Sequence, residues 1–411
     1  MLRKVFTAPD PGRMRLRAAS RAVLGIGLAV VACAVAGHSL VAAVTGGLAA
    51  ILALFTVTDA TVRGQAVTTA LLPVVGLPVL TLAAAVHDRP LVRDLAFLAI
   101  IGTGVYARRW GPRGHALGVF AFMAFFVTLV LGTTPAHLPE LSAAVLLALA
   151  TASAVRFGLW CYERALPAPP VVPVPDLARL TTRQSVQATT AAALALLAGQ
   201  ALSPERWYWA VGATWWIFVN TTSRGETLVR GFRRVLGTLA GIALGLLIAV
   251  PVNGAPLPTA LGLTAAVFGI FYTAAVSYTW MMLWVTLLVE LLYGVLGILT
   301  PDLLALRLAE TALGALTATL TVLVVLPITT NKVTDAWIAR ALHVIHRSDD
   351  HTDPAAKSAE LDTLLPRVRA AVAPLLHPLN PMRARKQRAR QVLKSLEEHA
   401  TDIRKLAELS N

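Results

Sequence analysis

The most constraining feature of this sequence is one long stretch without charge. From Val235 to Val289 no Asp, Glu, Lys or Arg occurs; Arg234 precedes the stretch and Glu290 follows it. Because one membrane-spanning helix needs about 20 apolar residues, the stretch is long enough for two to three spans. Of all 411 residues, 56% are hydrophobic and 14% are charged, too few polar groups to cover a soluble surface. We therefore predict an all-α polytopic membrane protein.

Breaking the apolar regions at Pro, Gly and charged residues gives about twelve candidate spans. They lie approximately at 22–37, 39–57, 66–86, 94–107, 115–132, 138–160, 184–202, 207–222, 234–251, 257–276, 279–299 and 305–327. The predicted organisation is a cytoplasmic N-terminus (1–21), a first six-helix transmembrane repeat (22–160), a Pro-rich cytoplasmic linker (161–183), a second repeat (184–327) and a small helical cytoplasmic tail (328–411).

Two short matching segments indicate that the halves are related. Residues 59–64 read DATVRG and residues 226–231 read ETLVRG, at an offset of 167 that also aligns Ala43-Val44 with Ala210-Val211. Each match follows the second predicted span of its half. Two six-span repeats would run parallel, related by an axis along the membrane normal.

The distribution of basic residues predicts the orientation. With the N-terminus inside, all but four of the 36 Lys and Arg residues fall in inner segments; the four are Arg89, Arg93, Arg206 and Arg307. Positive charge is enriched on the cytoplasmic side of membrane proteins. We therefore expect a multi-pass protein of a bacterial-type inner membrane with both termini in the cytoplasm.

The same distribution excludes several functions. The net charge of +14 is spread between apolar spans and over the tail, and no nucleic-acid-binding motif is present, so we expect no nucleic-acid partner. The two cysteines, Cys33 and Cys161, do not have metal-ligand spacing. No Walker A sequence, nucleophile elbow or zinc motif occurs, so we expect no enzymatic activity, metal or cofactor.

Residues 230–250 combine a basic cluster with a glycine stripe. Arg230, Arg233 and Arg234 stand at the start of a predicted span, and Gly237, Gly241 and Gly245 follow four residues apart. Glycines at this spacing share one helix face and let another helix approach closely; a face lining a pore is the alternative. The arginines either anchor the topology or, beside a helix N-terminus, form a vestibule that attracts an anion.

The segment WYWAVGATWWIFVNTTSRGETLVRGFRRVLGTLAGIALGLLIAV (207–250) resembles the fusaric acid resistance family, also called aromatic acid exporters. The family pattern of Arg-x-x-Gly-Thr-x-x-Gly falls on Arg234, Gly237, Thr238 and Gly241. The last predicted span is similar to the family's closing helix through Arg307, Thr311, Gly314 and Pro327. In the first half, the corresponding segment retains only Arg63-Gly64 of the residues that carry the resemblance. The resemblance implies export of aromatic acids, and the related aluminium-activated malate channels imply anion conduction as an alternative.

Three ionisable residues are predicted inside the bilayer. Glu290 lies near the middle of the eleventh span, where a lone carboxylate is costly and faces the bundle interior or a water cavity. Its carboxyl group either forms a hydrogen bond that connects two helices or couples transport to protons. The second alternative follows because reversible protonation is a common role of intramembrane acids. Arg307 and Glu310 are one helical turn apart and are spaced to form an ion pair.

Aromatic residues fall into two groups. Trp207, Tyr208, Trp209, Tyr278 and Trp280 lie near span ends and fit an interfacial belt. Trp215, Trp216 and Trp284 are deeper and either pack between helices or form an aromatic wall for a planar substrate.

The tail is predicted to form two or three helices. Residues 333–347 carry an apolar stripe, and residues 382–410 form a charged helix with near-heptad apolar spacing. These helices fold on each other, on the membrane surface, or at a subunit contact in a homo-oligomer.

From the residues and the resemblance together we expect an efflux transporter embedded in the lipid bilayer. Its partners would be protons, which energise it, and a small organic anion, aromatic or otherwise carboxylate-bearing. The alternatives are a passive anion channel and a non-transporting membrane scaffold whose tail binds a partner.

Overall fold

The structure, a computed structural model, describes residues 13–159, 177–219, 221, 223–326, 330–346, 354–376 and 383–409. All regular elements in these ranges are helices. Before residue 327 the α-helices are α1 Met14–Val35, α2 Leu40–Thr56, α3 Val62–Ala85, α4 Pro90–Tyr106, α5 Gly111–Leu131, α6 Leu138–Gly158, α7 Leu177–Leu202, α8 Tyr208–Phe218, α9 Arg224–Val252, α10 Pro256–Ala274, α11 Tyr278–Val295 and α12 Pro301–Val324. Two 3₁₀ turns, Ala107–Trp110 and Pro135–His137, precede α5 and α6.

Nine helical stretches in the described residues are long and apolar enough to cross a membrane. One of them, Pro90–Leu131, contains both α4 and α5. α2 is apolar but has 17 residues, and α8 has 11. The class of helical multi-pass membrane protein is therefore confirmed. Each of the twelve predicted segments overlaps a helix, while the number of complete spans stays a prediction.

α4 and α5 fold back on each other and do not form one long rod. A Cβ atom on Gly118 would lie 2.4 Å from the carbonyl oxygen of Gly104, so the two backbones touch at this point. The turn between the helices contains Gly111 with φ of 73°, a left-handed conformation that glycine adopts without strain. The stretch is therefore a tight helical hairpin.

Several helices begin at side chains that satisfy free backbone N–H groups. Ser39, Thr61, Ser223 and Thr300 accept hydrogen bonds from the backbone three residues later, at the starts of α2, α3, α9 and α12. Proline occupies the first turn of α4, α10 and α12. Its missing N–H costs no hydrogen bond there, because backbone N–H groups in the first turn have no partner within the helix. Pro, Ser and Thr thus set where the helices begin.

Several helices extend beyond the predicted spans, because hydropathy detects the lipid-embedded part of a helix and not its hydrogen-bonded length. α1 begins at Met14, inside the predicted N-terminus 1–21, and α9 begins at Arg224, ten residues before the predicted span. α7 begins at Leu177, inside the predicted linker 161–183; residues 160–176 of that linker lie outside the described residues. Arginines are tolerated at such helix ends because their long side chains reach the membrane surface.

The two halves pair their helices in the same way. In the first half α1 contacts α2 and α6, α2 contacts α6, and α5 contacts α3 and α4. In the second half α7 contacts α8 and α12, α8 contacts α12, and α11 contacts α9 and α10. Between the halves, α4 packs on α7 and α10 packs on α1. The interface therefore includes two equivalent helix contacts, and both large apolar cores include residues from both halves.

The C-terminal helices form a separate small bundle. α13 Thr330–His346, α14 Pro354–Leu376 and α15 Arg383–Leu409 share an apolar core that includes Trp337, Leu364 and Leu396. Ion pairs join Arg369 to Glu397 and Arg404 to Asp362 across α14 and α15. α13 and α14 also contact α9, so the bundle adjoins the helix that carries the arginine cluster.

An apolar cavity between two arginines

A cavity of about 180 Å³ lies between the two halves. Its wall is formed by apolar residues of α2 and α5 from the first half and of α8, α10 and α11 from the second half. Arg234 of α9 and Arg307 of α12 are the two charged residues among those that line it. Pockets of this kind, mostly apolar with few polar groups, are typical of small-molecule sites.

The aromatic part of the wall depends on a close approach between α5 and α8. Phe126 of α5 stands edge-on to Trp209 of α8, with ring centroids 5.1 Å apart. A Cβ on Gly212 would lie 2.8 Å from the Phe126 ring, so only glycine leaves room for this ring. Trp209, Gly212 and Trp216 occupy one face of α8 and line the cavity together. The wall therefore offers flat aromatic surface to a bound molecule.

One end of the cavity is formed around Tyr278. Arg234, 9% exposed, donates hydrogen bonds to the Tyr278 hydroxyl at 3.2 Å and to the Met282 sulfur at 3.1 Å. The Tyr278 hydroxyl in turn donates to the carbonyl oxygen of Trp216 at 3.4 Å. The Nε of Arg234 has no hydrogen-bond partner among the described residues. A buried guanidinium with an unused donor can therefore bind an anion here.

Of the three clustered arginines, Arg230 and Arg234 both contact Tyr278, whereas Arg233 does not. Arg230 lies over the Tyr278 ring, 3.8 Å from its centroid, and its Nε donates to the Trp216 carbonyl oxygen at 3.2 Å. Arg233 is half-buried and makes no hydrogen bond or ring contact with any described residue. Arg108, on the turn before α5, is close enough to interact electrostatically with Arg230. The positive charge at this end therefore comes from Arg108, Arg230 and Arg234.

The other end of the cavity is formed around Arg307, which is 6% exposed. Its guanidinium lies 4.2 Å from the centroid of the Trp209 ring and donates to the Tyr293 hydroxyl at 3.4 Å. The expected ion pair with Glu310 is not formed. The aromatic rings of α8 and α11 hold Arg307 instead, a cation–π arrangement that is favourable away from water. One carboxyl oxygen of Glu310 has no hydrogen-bond partner among the described residues.

Glu290 lies in the contact between α9 and α11 and not in the cavity wall. It is completely buried, and neither carboxyl oxygen has a hydrogen-bond partner in the described part of the chain. Its carboxyl group occupies the space beside Gly245, where an added Cβ would overlap with Glu290. Arg307 is the charged residue close enough to act on it. The expected hydrogen bond to another helix is therefore not formed in this conformation.

The glycine stripe lies in a helix contact within the subunit. A Cβ on Gly237 would lie 2.6 Å from the Thr279 carbonyl oxygen, and one on Gly241 would lie 2.5 Å from the Thr286 Cβ. Together with Gly245 these positions let α9 run against α11 with the backbones nearly touching. Gly314 does the same for α12, where a Cβ would lie 2.5 Å from the Ala210 carbonyl oxygen of α8.

The deep tryptophans occupy three different places. Trp216 lines the cavity. Trp215 is turned to the opposite side of α8 and stacks on Phe122 of α5 at 4.5 Å, and Trp284 packs against Gly269 of α10. Trp209 was assigned from the sequence to an interfacial belt, but it lines the cavity. Tyr293, which the sequence did not single out, also lines the cavity.

Tyr278, also assigned to the belt, is 8% exposed and contacts Arg230 and Arg234. A signal for the cavity residues exists in the sequence: Trp209 and Trp216 are seven residues apart, the spacing of one helix face.

These features define a class: a helical multi-pass membrane protein with an apolar, arginine-containing cavity between its halves. Residues 193–344 match the family model described as fusaric acid resistance protein-like. The resemblance found in the sequence is thereby confirmed over this range. Searches of curated proteins and of solved structures give no match. The family match and the apolar helices together indicate a membrane transporter.

The α9 residues on which the resemblance was based lie at the cavity and at the helix contact. Arg234 reaches into the cavity, while Gly237 and Gly241 pack on α11 and Thr238 is buried beside them. On α12, Arg307 lines the cavity and Gly314 packs on α8. Pro327 lies outside the described residues.

Proposed function

We propose that the protein is a bacterial-type inner-membrane transporter that exports small aromatic or other carboxylate-bearing compounds, driven by the proton gradient. The observation that carries this proposal is the apolar, aromatic-walled cavity lined by the buried Arg234, whose Nε has no hydrogen-bond partner among the described residues. An aromatic body fits the wall, and a carboxylate fits a guanidinium, which donates in a fork-like geometry.

The charge distribution supports entry from the cytoplasmic side. In the predicted orientation, the end of the cavity near Tyr278 faces the cytoplasm, because most Lys and Arg lie on that side. Arg108, Arg230 and Arg234 are gathered there. Their positive potential raises the local concentration of anions at this mouth. Arg233 is not among the residues that line the cavity.

The equivalent pairing of helices in the two halves supports alternating access. At the offset of 167 residues, the ends of α1 and α3 correspond to the ends of α7 and α9, and the start of α5 corresponds to the start of α11. We infer that the halves derive from a duplicated six-helix unit. Parallel repeats of this kind transport by rocking against each other around a site at their interface. The cavity lies at that interface.

Glu290 is our candidate for proton coupling. A neutral carboxyl group can remain packed beside Gly245 between α9 and α11, whereas a carboxylate without partners is costly at this place. Loss of the proton therefore favours a conformation in which α9 and α11 are shifted and the carboxylate reaches water or Arg307. Proton binding and release would thus change the relative position of α9 and α11, the two helices that carry Arg234 and Tyr278.

The test is flux of radiolabelled benzoate in proteoliposomes. Benzoate is set equal on both sides and a pH gradient is imposed in each direction, with protein-free liposomes subtracted. Exchange of protons for benzoate drives benzoate toward the acidic compartment, whereas benzoic acid that leaks through lipid collects in the alkaline one. Accumulation on the acidic side in both settings supports the proposal, and its absence contradicts it.

A passive anion channel is the second candidate, since arginines stand at both ends of the cavity. In that case benzoate would follow the membrane potential and ignore the imposed pH gradient. A scaffold without transport would give no flux above the protein-free liposomes in any setting.

A further inference from the structure

The two ends of the cavity are built from the same three residue types. Arg307 contacts Trp209 of α8 and Tyr293 of α11. Arg234 contacts Tyr278 of α11, whose hydroxyl donates to the backbone of Trp216 on α8. Trp209 near the start of α8 lies at the level of Tyr293 near the end of α11, and Trp216 near the end of α8 lies at the level of Tyr278 at the start of α11. The two helices are therefore antiparallel along the cavity.

The spacing of the two arginines follows from helix geometry. Trp209 and Trp216 are seven residues apart, and an α-helix rises 1.5 Å per residue, so the two levels are separated by about 10 Å. Arg307 is close enough to act electrostatically on Arg234. A carboxylate bound at one level is therefore out of hydrogen-bond range of the other.

Both arginines have donors that the protein leaves unused. Among the described residues, the Nε of Arg234 has no hydrogen-bond partner, and Arg307 makes one hydrogen bond, to Tyr293. A guanidinium carries five N–H donors. Each arginine is more than nine-tenths buried and lines the cavity.

Between the two levels the wall is apolar. Val285, Leu288 and Val289 of α11 face the cavity there. A carboxylate cannot be solvated beside these side chains, but an aromatic ring can pack against them. An anion in the cavity is therefore stable with its charge at one end or at the other, and unstable in between.

We propose that the cavity contains two carboxylate positions, one at Arg234 and one at Arg307, which the charged group of one substrate occupies in turn while its apolar body fills the space between them. This inference rests on the proposed function, because it assumes that the cavity takes an organic carboxylate.

The surroundings make the two positions unequal. Arg234 has Arg230 beside it, contacting the same Tyr278. Arg307 is flanked by the carboxyl groups of Glu290 and Glu310. An anion is attracted by the first environment and, when either carboxyl group is ionised, repelled by the second. The position at Arg234 therefore binds more tightly, and the position at Arg307 releases more readily.

The experiment measures equilibrium binding of three matched probes to the full-length protein in lipid nanodiscs. Benzoate has one carboxylate, terephthalate has two on opposite ends of the same ring, and benzamide has none. The variants are Arg234→Gln, Arg307→Gln and the double variant. Arg63→Gln is the control, because it changes an exposed arginine at the corresponding turn of the first half. Unchanged benzamide binding shows that the cavity is intact in each variant.

If the cavity has two carboxylate positions, terephthalate should bind the unmodified protein at least about tenfold more tightly than benzoate, since it engages both guanidiniums. This advantage disappears in either single variant. Benzoate binding weakens more in Arg234→Gln than in Arg307→Gln, and only the double variant abolishes it.

The proposal is overturned if one single variant abolishes benzoate binding, the other leaves it unchanged, and terephthalate has no advantage. In that case benzoate flux toward the acidic side would still support the proposed function with a single site. If the unmodified protein binds none of the three probes, the two-position proposal and the proposed substrate class fail together.

Discussion

Buried arginines in this molecule are held by carbonyl oxygens and aromatic rings. Arg156 of α6 is 7% exposed and donates to the carbonyl oxygens of Ala53, Leu54 and Val57 at the end of α2. The last carbonyls of a helix have no partner within the helix, and a guanidinium with its fixed fork of donors can satisfy several of them. Arg234 and Arg307 use tyrosine and tryptophan in a similar way, which leaves their charge available.

Replacement of Arg156 by Met should destabilise the protein, because the carbonyl oxygens at the end of α2 lose their donor. We expect a loss of about 2–3 kcal/mol and a lower midpoint of thermal unfolding in detergent. The exposed Arg17→Gln serves as the control and should unfold like the unmodified protein. Equal midpoints for all three proteins would show that Arg156 does not hold the end of α2.

Replacement of Glu290 by Gln should uncouple transport from the proton gradient. Glutamine has nearly the same shape and cannot exchange a proton, so benzoate should still bind while its accumulation on the acidic side falls to the level of protein-free liposomes. Glu205→Gln, at an exposed glutamate, is the matched control. If pH-driven accumulation persists in Glu290→Gln, another group carries the proton.

At the scale of helices, the contact between α9 and α11 is the feature on which the cavity most depends. Thr279, Thr286 and Glu290 of α11 lie directly against the glycines of α9. In lipid, where apolar surface alone does not drive helices together, such close packing is a main source of attraction. The same contact positions Arg234 beside Tyr278 and Met282.

Gly241→Leu should separate α9 from α11, since even a Cβ atom there would lie 2.9 Å from the Leu283 carbonyl oxygen. We expect destabilisation of roughly 3 kcal/mol or more, because backbone must move to make room. Ala243→Leu adds bulk two residues further along, on the exposed face of the same helix, and should unfold like the unmodified protein. Comparable thermal midpoints for the two variants would contradict the packing described here.

The membrane class, the helical elements and the packing surface of α9 could be predicted from the sequence. Long charge-free runs admit few alternatives in a chain of this composition, and glycines four residues apart share a helix face whatever they contact. Helix ends were less predictable, because hydropathy does not detect turns of helix outside the lipid. α9 begins at Arg224 because the Ser223 hydroxyl caps it, ten residues before the predicted span.

The cavity itself could be predicted only in part. Trp215 and Trp216 are neighbours, yet one packs on Phe122 and the other lines the cavity, because the rotation of α8 is set by tertiary contacts. Arg307 and Glu310 have the spacing of an ion pair, but Trp209 from another helix competes for the guanidinium. Local spacing cannot reveal a partner that lies about a hundred residues away.

At the scale of the whole molecule, the two halves meet through equivalent contacts and enclose the cavity between them. α4 with α7 and α10 with α1 are the equivalent contacts, and α5 also approaches α8. The family match covers residues 193–344, whereas the cavity also needs Phe126 and other residues of the first half. The first half is therefore part of the proposed site despite its weaker motifs.

The predicted orientation can be tested by labelling single cysteines with a membrane-impermeant maleimide in a variant with Cys33→Ala and Cys161→Ala. Glu205→Cys, in the turn before α8, should react in intact cells, and Ser395→Cys, in α15, should react only after permeabilisation. Both positions are exposed, so burial does not limit the reaction. The reverse pattern would place the arginine cluster outside and turn the proposed export into uptake.

The central claim, that the cavity between the halves holds the transported anion, is tested most directly by substrate protection. Val289→Cys places a thiol in the cavity wall, and Ser395→Cys places one on the C-terminal bundle. In the cysteine-free background, a negatively charged methanethiosulfonate should modify both. Benzoate should slow modification of Val289→Cys in proportion to its occupancy and leave Ser395→Cys unaffected. An equal rate at Val289→Cys with and without saturating benzoate would contradict the account.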